Sequence, residues 1–190
     1  MKLTPEIVVY ASWILFCLYW FISAFAAKRT AKREASGERL VHVLFMAAGY
    51  ILLFNPDPHW GVLNERFLPE IAPIAWFGGA VTLAGVLFAV WARRSIGKFW
   101  SAAVTIKEGH QLVRSGPYAH IRHPIYTGLL TAVAGTTLEL GRYRALVALV
   151  IFVIGFSRKA KKEEAFLAHE FGESFDEHKR HTGFFLPRFS

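Results

Sequence analysis

A single cysteine, Cys17, stands in 190 residues, which excludes a disulfide framework, a four-cysteine zinc site and an iron–sulfur cluster. Charge is scarce as well. Charged residues make up 19% of the chain, where soluble proteins carry about 25%. Acidic residues are the rarer sign, 14 against 22 basic. There is no room for a separate soluble catalytic domain, because hydrophobic runs take up nearly half of the chain.

Apolar residues make up 54% of the sequence. A membrane-crossing helix needs about 20 mostly apolar residues. Runs at 6–27, 40–54, 71–92, 124–140 and 144–157 predict five transmembrane helices in a single all-α membrane domain spanning 1–190. The fifth run reaches only about 20 Å along a helix, short for a hydrocarbon core of about 30 Å. Either its charged flanks snorkel, or the fourth and fifth spans form a tilted hairpin turning near Gly141. Cys17 reads as a packing residue of the first span, and Trp13, Trp20, Trp76, Trp91 and Trp100 as interface anchors near span ends.

Sorting the basic residues by loop predicts the orientation. The loops assigned to one side hold Lys2, Arg66, Arg142 and Arg144, and the opposite side holds the other eighteen. By the positive-inside rule the N-terminus is outside and the C-terminus cytoplasmic. This asymmetry accounts for most of the net charge of +8. Membrane lipids are therefore the expected surroundings, and a nucleic-acid partner is not called for.

Two stretches break the apolar pattern, the loop 93–123 and the segment 158–190, both assigned to the cytoplasmic side. A loop of that length is usually functional. Gly116-Pro117 signals a turn, and Pro124 suits the first turn of the fourth span. His123, Ile125 and Tyr126 then stand at a helix N-terminus, whose free amides and positive dipole make a seat for an anion. After the fifth span, Arg158 to Lys162 is followed by Glu163-Glu164. The helix is expected to continue through Phe166, Leu167, Phe171 and Phe175 as an amphipathic segment against the headgroups. His169, His178 and His181 on it read as solvated. His42 in the second span reads as a helix–helix hydrogen-bond partner or an intramembrane functional group. The spacing of His110, His120 and His123 matches no standard metal site, so no metal is expected.

The ordered set Gly116-Pro117-Tyr118, Arg122-His123-Pro124, Tyr126, Gly128, Glu163-Glu164 and Phe171-Gly172-x2-Phe175 resembles the isoprenylcysteine carboxyl methyltransferase family, in its short prokaryotic form. The resemblance covers about residues 93–188. It implies an integral membrane enzyme of a prokaryotic cytoplasmic membrane, with its active site facing the cytoplasm and S-adenosylmethionine (SAM) as cofactor. The glycine-rich turn of the usual soluble SAM fold is missing. By the same resemblance SAM contacts His110, Gln111, Leu112, Val113, Tyr118, His123, Pro124, Ile125, Tyr126 and Glu163. The substrate-side basic residue falls at Lys159 or Arg158, with a further one near Arg93 or Arg94.

Methyl transfer from a sulfonium releases a neutral thioether, so the protein mainly supplies orientation and exclusion of water. A carboxylate nucleophile is already ionised and needs a cation to place it; Arg122, Arg158 and Lys159 are the candidates. An amine would instead need a base, which Glu163 or Glu164 offers. The expected acceptor is a lipophilic small molecule or lipidated group of prenyl-cysteine type. The alternatives are a phospholipid N-methyltransferase, a membrane reductase and a non-catalytic scaffold binding anionic lipid.

Overall fold

The computed structural model describes residues 2–25, 30–33, 36–55, 58–97, 100, 105–107 and 112–188. Among them the helices are α1 (Pro5–Ala24), α2 (Ser36–Phe54), α3 (Ala72–Ile96), α4 (Pro124–Leu140), α5 (Tyr143–Phe171) and α6 (Glu173–His181). Proline in the first turn opens α1, α3 and α4, where its missing N–H has no intrahelical partner to lose. Each of the five apolar runs is helical over nearly all of its described residues. By length and composition, α1 and α3 are long and apolar enough to cross a membrane, and the apolar part of α2, Leu40–Phe54, is shorter.

The chain is helical in class as expected, apart from one short ribbon in which β1 (Thr30–Arg33) pairs antiparallel with β2 (Thr105–Lys107). Both strands lie in connections between helices, where the backbone needs partners outside the helical ladder. The fifth apolar run is the first half of α5, which continues past it as expected, unbroken for 29 residues to Phe171, whereas Phe175 falls in the next helix. Gly141, in the left-handed region at φ 62°, turns α4 into α5 as the hairpin reading anticipated. Gly172, at φ 48°, ends α5 and starts α6.

The connections sort to two ends. At one end β1 meets β2, joining the α1–α2 and α3–α4 connections. At the other, Tyr143 N–H donates to Glu65 O at 3.1 Å and Phe67 N–H to Gly141 O at 2.9 Å, joining the α2–α3 and α4–α5 connections. Two arginines clasp helix ends. Arg144 donates to the carbonyls of Leu52 and Leu53 at 2.5 and 2.9 Å, capping α2. Arg93 donates to Ser23 O and Gly97 O, both at 2.7 Å, tying the C-terminal ends of α1 and α3 together.

The tightest packing is between α3 and α4, which touch backbone to backbone. A Cβ added at Gly85 would lie 2.4 Å from Ala132 N, and one at Gly135 would lie 2.4 Å from Thr82 N. Gly78 and Gly128 are equally closed. The small residues therefore serve close helix approach and leave no room for a lipid chain along this seam. Thr82 and Thr136 Oγ1 share a hydrogen bond of 3.2 Å across it. Trp13 of α1 donates to Thr136 Oγ1 at 3.0 Å. Trp13 is thus a buried core residue and no interface anchor, while Trp76 and Trp91 do face outward. Cys17 is also exposed, so it does not pack inside the bundle.

Aromatic rings fill the space enclosed by α1, α2, α4 and α5. Trp13 meets Tyr50 at 5.9 Å, Tyr50 meets Phe152 at 4.9 Å, and Phe152 meets Phe156 at 5.9 Å. On the outside, α1, α2, α3 and α5 expose large apolar side chains such as Phe21, Leu44, Phe77 and Val150, and α4 exposes none among its described residues. An apolar exterior around an enclosed helix suits a lipid environment.

Because the atoms in the way are backbone, Gly85→Ala or Gly128→Ala should cost about 3 kcal/mol, the upper end for overpacking. Gly79→Ala, where the nearest contact is 3.4 Å, should be nearly neutral. Thermal unfolding of the purified variants in detergent checks this, and equal midpoints for Gly79→Ala and Gly85→Ala would remove the backbone-contact argument.

Candidate functional site

Helix α5 projects Phe156, Lys159 and Glu163 at helical spacing toward the start of α4, with Ala160 and Glu164 beside them. Pro124 at the first position of α4 sets that start, and His123 precedes it in a non-helical conformation. Phe156 stacks on Tyr126 at 5.0 Å, and Lys159 Nζ stands 5.8 Å over the same ring. Tyr126 O–H donates to Glu163 Oε1 at 2.6 Å. His123 lies between the two acids, with Nε2 at 3.1 Å from Glu164 Oε1 and Nδ1 at 3.6 Å from Glu163 Oε2. Arg122 Nε donates to Glu164 Oε1 at 2.6 Å.

A third segment completes this cluster. After α6 the chain runs back over the start of α4. Arg122 N–H donates to Gly183 O, His123 N–H to Phe184 O and Thr127 Oγ1 to Phe185 O, at 2.9, 3.3 and 2.7 Å. The Phe184 ring sits edge-on to His123 at 5.0 Å. The Arg122 guanidinium also donates to Thr182 O and to Lys179 O, capping α6. Arg114 anchors the preceding loop to α6 through Glu177 and the Ser174 hydroxyl and carbonyl.

These contacts set the charges. Burial pushes the Glu164 carboxyl up, but His123 and Arg122 outweigh it and hold the group down to about 2. Burial likewise pushes Glu163 up, and His123, Lys159 and Tyr126 bring it below the usual carboxylate range. Desolvation pulls His123 down, yet its bonds to Glu163 and Glu164 carry it above its ordinary value. Two ionised carboxylates thus flank the imidazole and favour its charged form. Glu163 keeps 24% of its side chain exposed, against 11% for Glu164, so it is the acid open to a ligand. Burial pushes the Tyr118 hydroxyl up.

Among the residues expected at the site, Arg122, His123, Tyr126, Lys159 and Glu163 come together. Pro124 and Ile125 are buried in the first turn of α4, and Tyr118 is buried at the short Gly116–Ala119 turn. Leu112 and Val113 are half-buried, Val113 against the core. His110 and Gln111 lie outside the described residues. Arg158 and Lys159 part company: Arg158 is exposed, while Lys159 is half-buried over Tyr126. Two expectations fail here. The His123 amide is not free for an anion, because Phe184 O takes its hydrogen, which leaves Ile125 N–H as a first-turn amide with no intrahelical acceptor. His178 is buried instead of solvated, and its carbonyl accepts from the Thr182 hydroxyl at 2.6 Å.

In the sequence Glu164 reads only as an alternative base for an amine acceptor, and the 182–185 segment does not read as part of the site. Adjacent acids on a helix point about 100° apart, and no local pattern tells which one faces inward. The apolar Gly183-Phe184-Phe185-Leu186 stretch after a polar helix was the available signal for a returning segment.

Residues 78–169 match the model of the isoprenylcysteine carboxyl methyltransferase family. A protein-S-isoprenylcysteine O-methyltransferase of Schizosaccharomyces pombe is 35% identical over 80 residues, which are 41% of this chain and 34% of that protein. A probable protein-S-isoprenylcysteine O-methyltransferase of Oryza sativa subsp. indica is 30% identical over 131 residues, 64% of this chain and 68% of that one. This chain therefore spans about a third of the yeast relative and about two thirds of the rice one. In fold it is similar to a solved eukaryotic intramembrane Ras methyltransferase, at a TM-score of 0.57 and 18% identity, over 83% of this chain and 56% of that one.

The charge cluster has a pH signature. The lowered Glu164 contributes stability that is complete above its unfolded value of 4.5 and lost as pH falls toward about 2. The raised His123 contributes stability that is complete below 6.5 and lost as pH rises through its higher folded value. Glu164→Gln leaves a buried cation unpaired and should cost about 3 kcal/mol. The gap between wild type and Glu164→Gln should be widest between pH 4.5 and 6.5 and narrow on both sides. Detergent unfolding midpoints measured across pH check it; a gap that stays flat with pH would mean that no ion pair forms.

Proposed function

The chain belongs to the isoprenylcysteine carboxyl methyltransferase family, and we propose that it transfers a methyl group from SAM to the carboxylate of a lipophilic, prenyl-cysteine-like acceptor. The observation that carries this reading is the meeting of Tyr126 and His123 with Glu163 at 2.6 and 3.6 Å, a partly open carboxylate beside an aromatic wall. That donor set fits SAM. Glu163, held ionised, suits the ammonium and ribose hydroxyls. Ile125 N–H suits the carboxylate, and Tyr118 and Tyr126 suit the adenine. His110 to Val113, Pro124 and His123 complete the proposed cofactor side, with His123 orienting Glu163.

SAM supplies an electrophilic methyl group whose departure from sulfur leaves a neutral thioether. No acid is needed on that side, and an ionised carboxylate acceptor needs no base. What the chain supplies is placement in a site closed to water. Lys159, over Tyr126, is the proposed cation for the acceptor carboxylate, and exposed Arg158 stands behind it at the surface. Arg122 acts as a positioning residue, because its described bonds go to Glu164 and to the carbonyls that end α6.

We also propose that α1 to α5 all cross a prokaryotic cytoplasmic membrane, N-terminus outside, with the site at the cytoplasmic face. The exposed apolar belt and the sorting of the connections to two ends support it, as does the charge asymmetry. SAM then enters from the cytoplasm and the acceptor from the bilayer.

Labelled methyl transfer from SAM into a total lipid extract tests the activity: base-released label identifies an ester, and base-stable label would move the function to amine methylation. His123→Ala and Glu163→Ala should each weaken SAM binding at least tenfold, about 1.4 kcal/mol. Unchanged affinity in folded His123→Ala protein would place the cofactor elsewhere. For topology, in Cys17→Ser protein a new cysteine at Ala31 should react only from the cytoplasmic side and one at Asn64 only from outside. Reaction of both from one side would end the five-span arrangement.

A further inference from the structure

His42 stands on α2, outside residues 78–169 matched by the family model, and neither the fold nor the proposed chemistry has used it. Val41 and Val43 beside it are exposed, whereas the imidazole turns inward. Its ring lies 6.3 Å from Phe156, the ring that stacks on Tyr126. Lys159, Glu163 and Lys162 are within electrostatic reach. Helix α2 thus brings a polar group to the same wall that α4 and α5 build. Nδ1 of His42 is buried and has no hydrogen-bond partner among the described residues. Arg93 Nε and Arg144 Nε are also unpartnered, but those guanidinium groups hold helix-end carbonyls through their other nitrogens. No comparable structural bond accounts for His42, and a buried polar nitrogen left unsatisfied is costly.

The seam on which His42 sits also differs from the α3–α4 seam. There glycines lock backbone against backbone. Between α2 and α5 the contacts run through side chains, with Phe152 over Gly49 and Met46 and Phe45 over Gly155. Exposed Leu44, Val153 and Ile154 border it. An amphiphile lying along this seam with its tail in the apolar belt would bring its polar head to His42 and Lys159.

We propose that His42 binds the acceptor, its Nδ1–H donating to the carboxylate of a lipid-anchored substrate whose charge Lys159 balances. The proposal rests on the methyltransferase reading and adds to it the residue that fixes the acceptor's head. A neutral imidazole supplies direction where the lysine supplies charge, and it comes from a helix that the cofactor cluster does not use.

The test uses purified full-length protein in lipid–detergent micelles, with N-acetyl-S-farnesylcysteine as the acceptor probe. SAM affinity is read by calorimetry, and KM and kcat from base-labile methyl transfer. His42→Leu should raise the acceptor KM at least tenfold and leave SAM affinity within threefold. His42→Asn, whose amide nitrogen falls near the Nδ1 position, should stay within threefold of wild type. His42→Gln, which reaches the Nε2 position instead, should behave like the leucine variant. If His42→Leu does not fold, the Asn and Gln pair decides. An unchanged KM in His42→Leu, equal losses in Asn and Gln, or a parallel loss of SAM affinity would each overturn the assignment. Wild-type protein that binds no SAM or esterifies no probe would overturn the function reading, and the role of His42 with it, before any variant is compared.

Discussion

Everything in this molecule is referred to the contact between α3 and α4. In lipid there is little hydrophobic force between helices, so association depends on close van der Waals packing and a few polar bonds. Gly78 and Gly85 on one helix, with Gly128 and Gly135 on the other, bring the backbones together, and Thr82 with Thr136 adds a shared hydrogen bond. A helix held this closely is fixed in rotation and height. Its first residues, His123 to Tyr126, are therefore fixed too, and α4 ends up enclosed while its neighbours carry the apolar exterior.

The cluster at that end is built from three segments that each bring part of a charge balance. Arg122 and His123 come from the start of α4, Glu163 and Glu164 from α5, and the capping carbonyls from the chain after α6. Buried charges are tolerated only when paired and hydrogen-bonded, so each segment depends on the other two. That dependence explains why Arg122, which looks like a substrate-binding cation in the sequence, is engaged by Glu164 and Thr182 O. It also separates the two acids: Glu164 holds the cluster together, and Glu163 remains partly open.

The positive charges do more than suggest an orientation in the membrane. Arg144 belongs to the sparse set, assigned from the sequence to the outer side, and closes the end of α2. Arg93, from the abundant set, closes α1 and α3 and lies 4.5 Å over the Trp100 ring. Helix ends leave carbonyls unsatisfied, and a guanidinium reaches two of them at once. The charge asymmetry used to read orientation is thus partly made of structural clasps.

Much of this was legible in residue order. Helix positions follow from apolar run length, and the hairpin turn from a glycine placed between two runs, because both are local properties of the chain. The ordered motif from Gly116 to Phe175 likewise identified the family and placed His123, Tyr126, Lys159 and Glu163 in one site. What lay beyond reach depended on rotation about helix axes and on distant segments. That Lys159 and not Arg158 lies over Tyr126 turns on about 100° of helix rotation, as does the inward turn of Glu164. The burial of Trp13 and His178 and the return of 182–185 over α4 come from packing between segments far apart in the chain. Only the tertiary structure decides such contacts, because a linear sequence records which side chains exist and not which ones face each other.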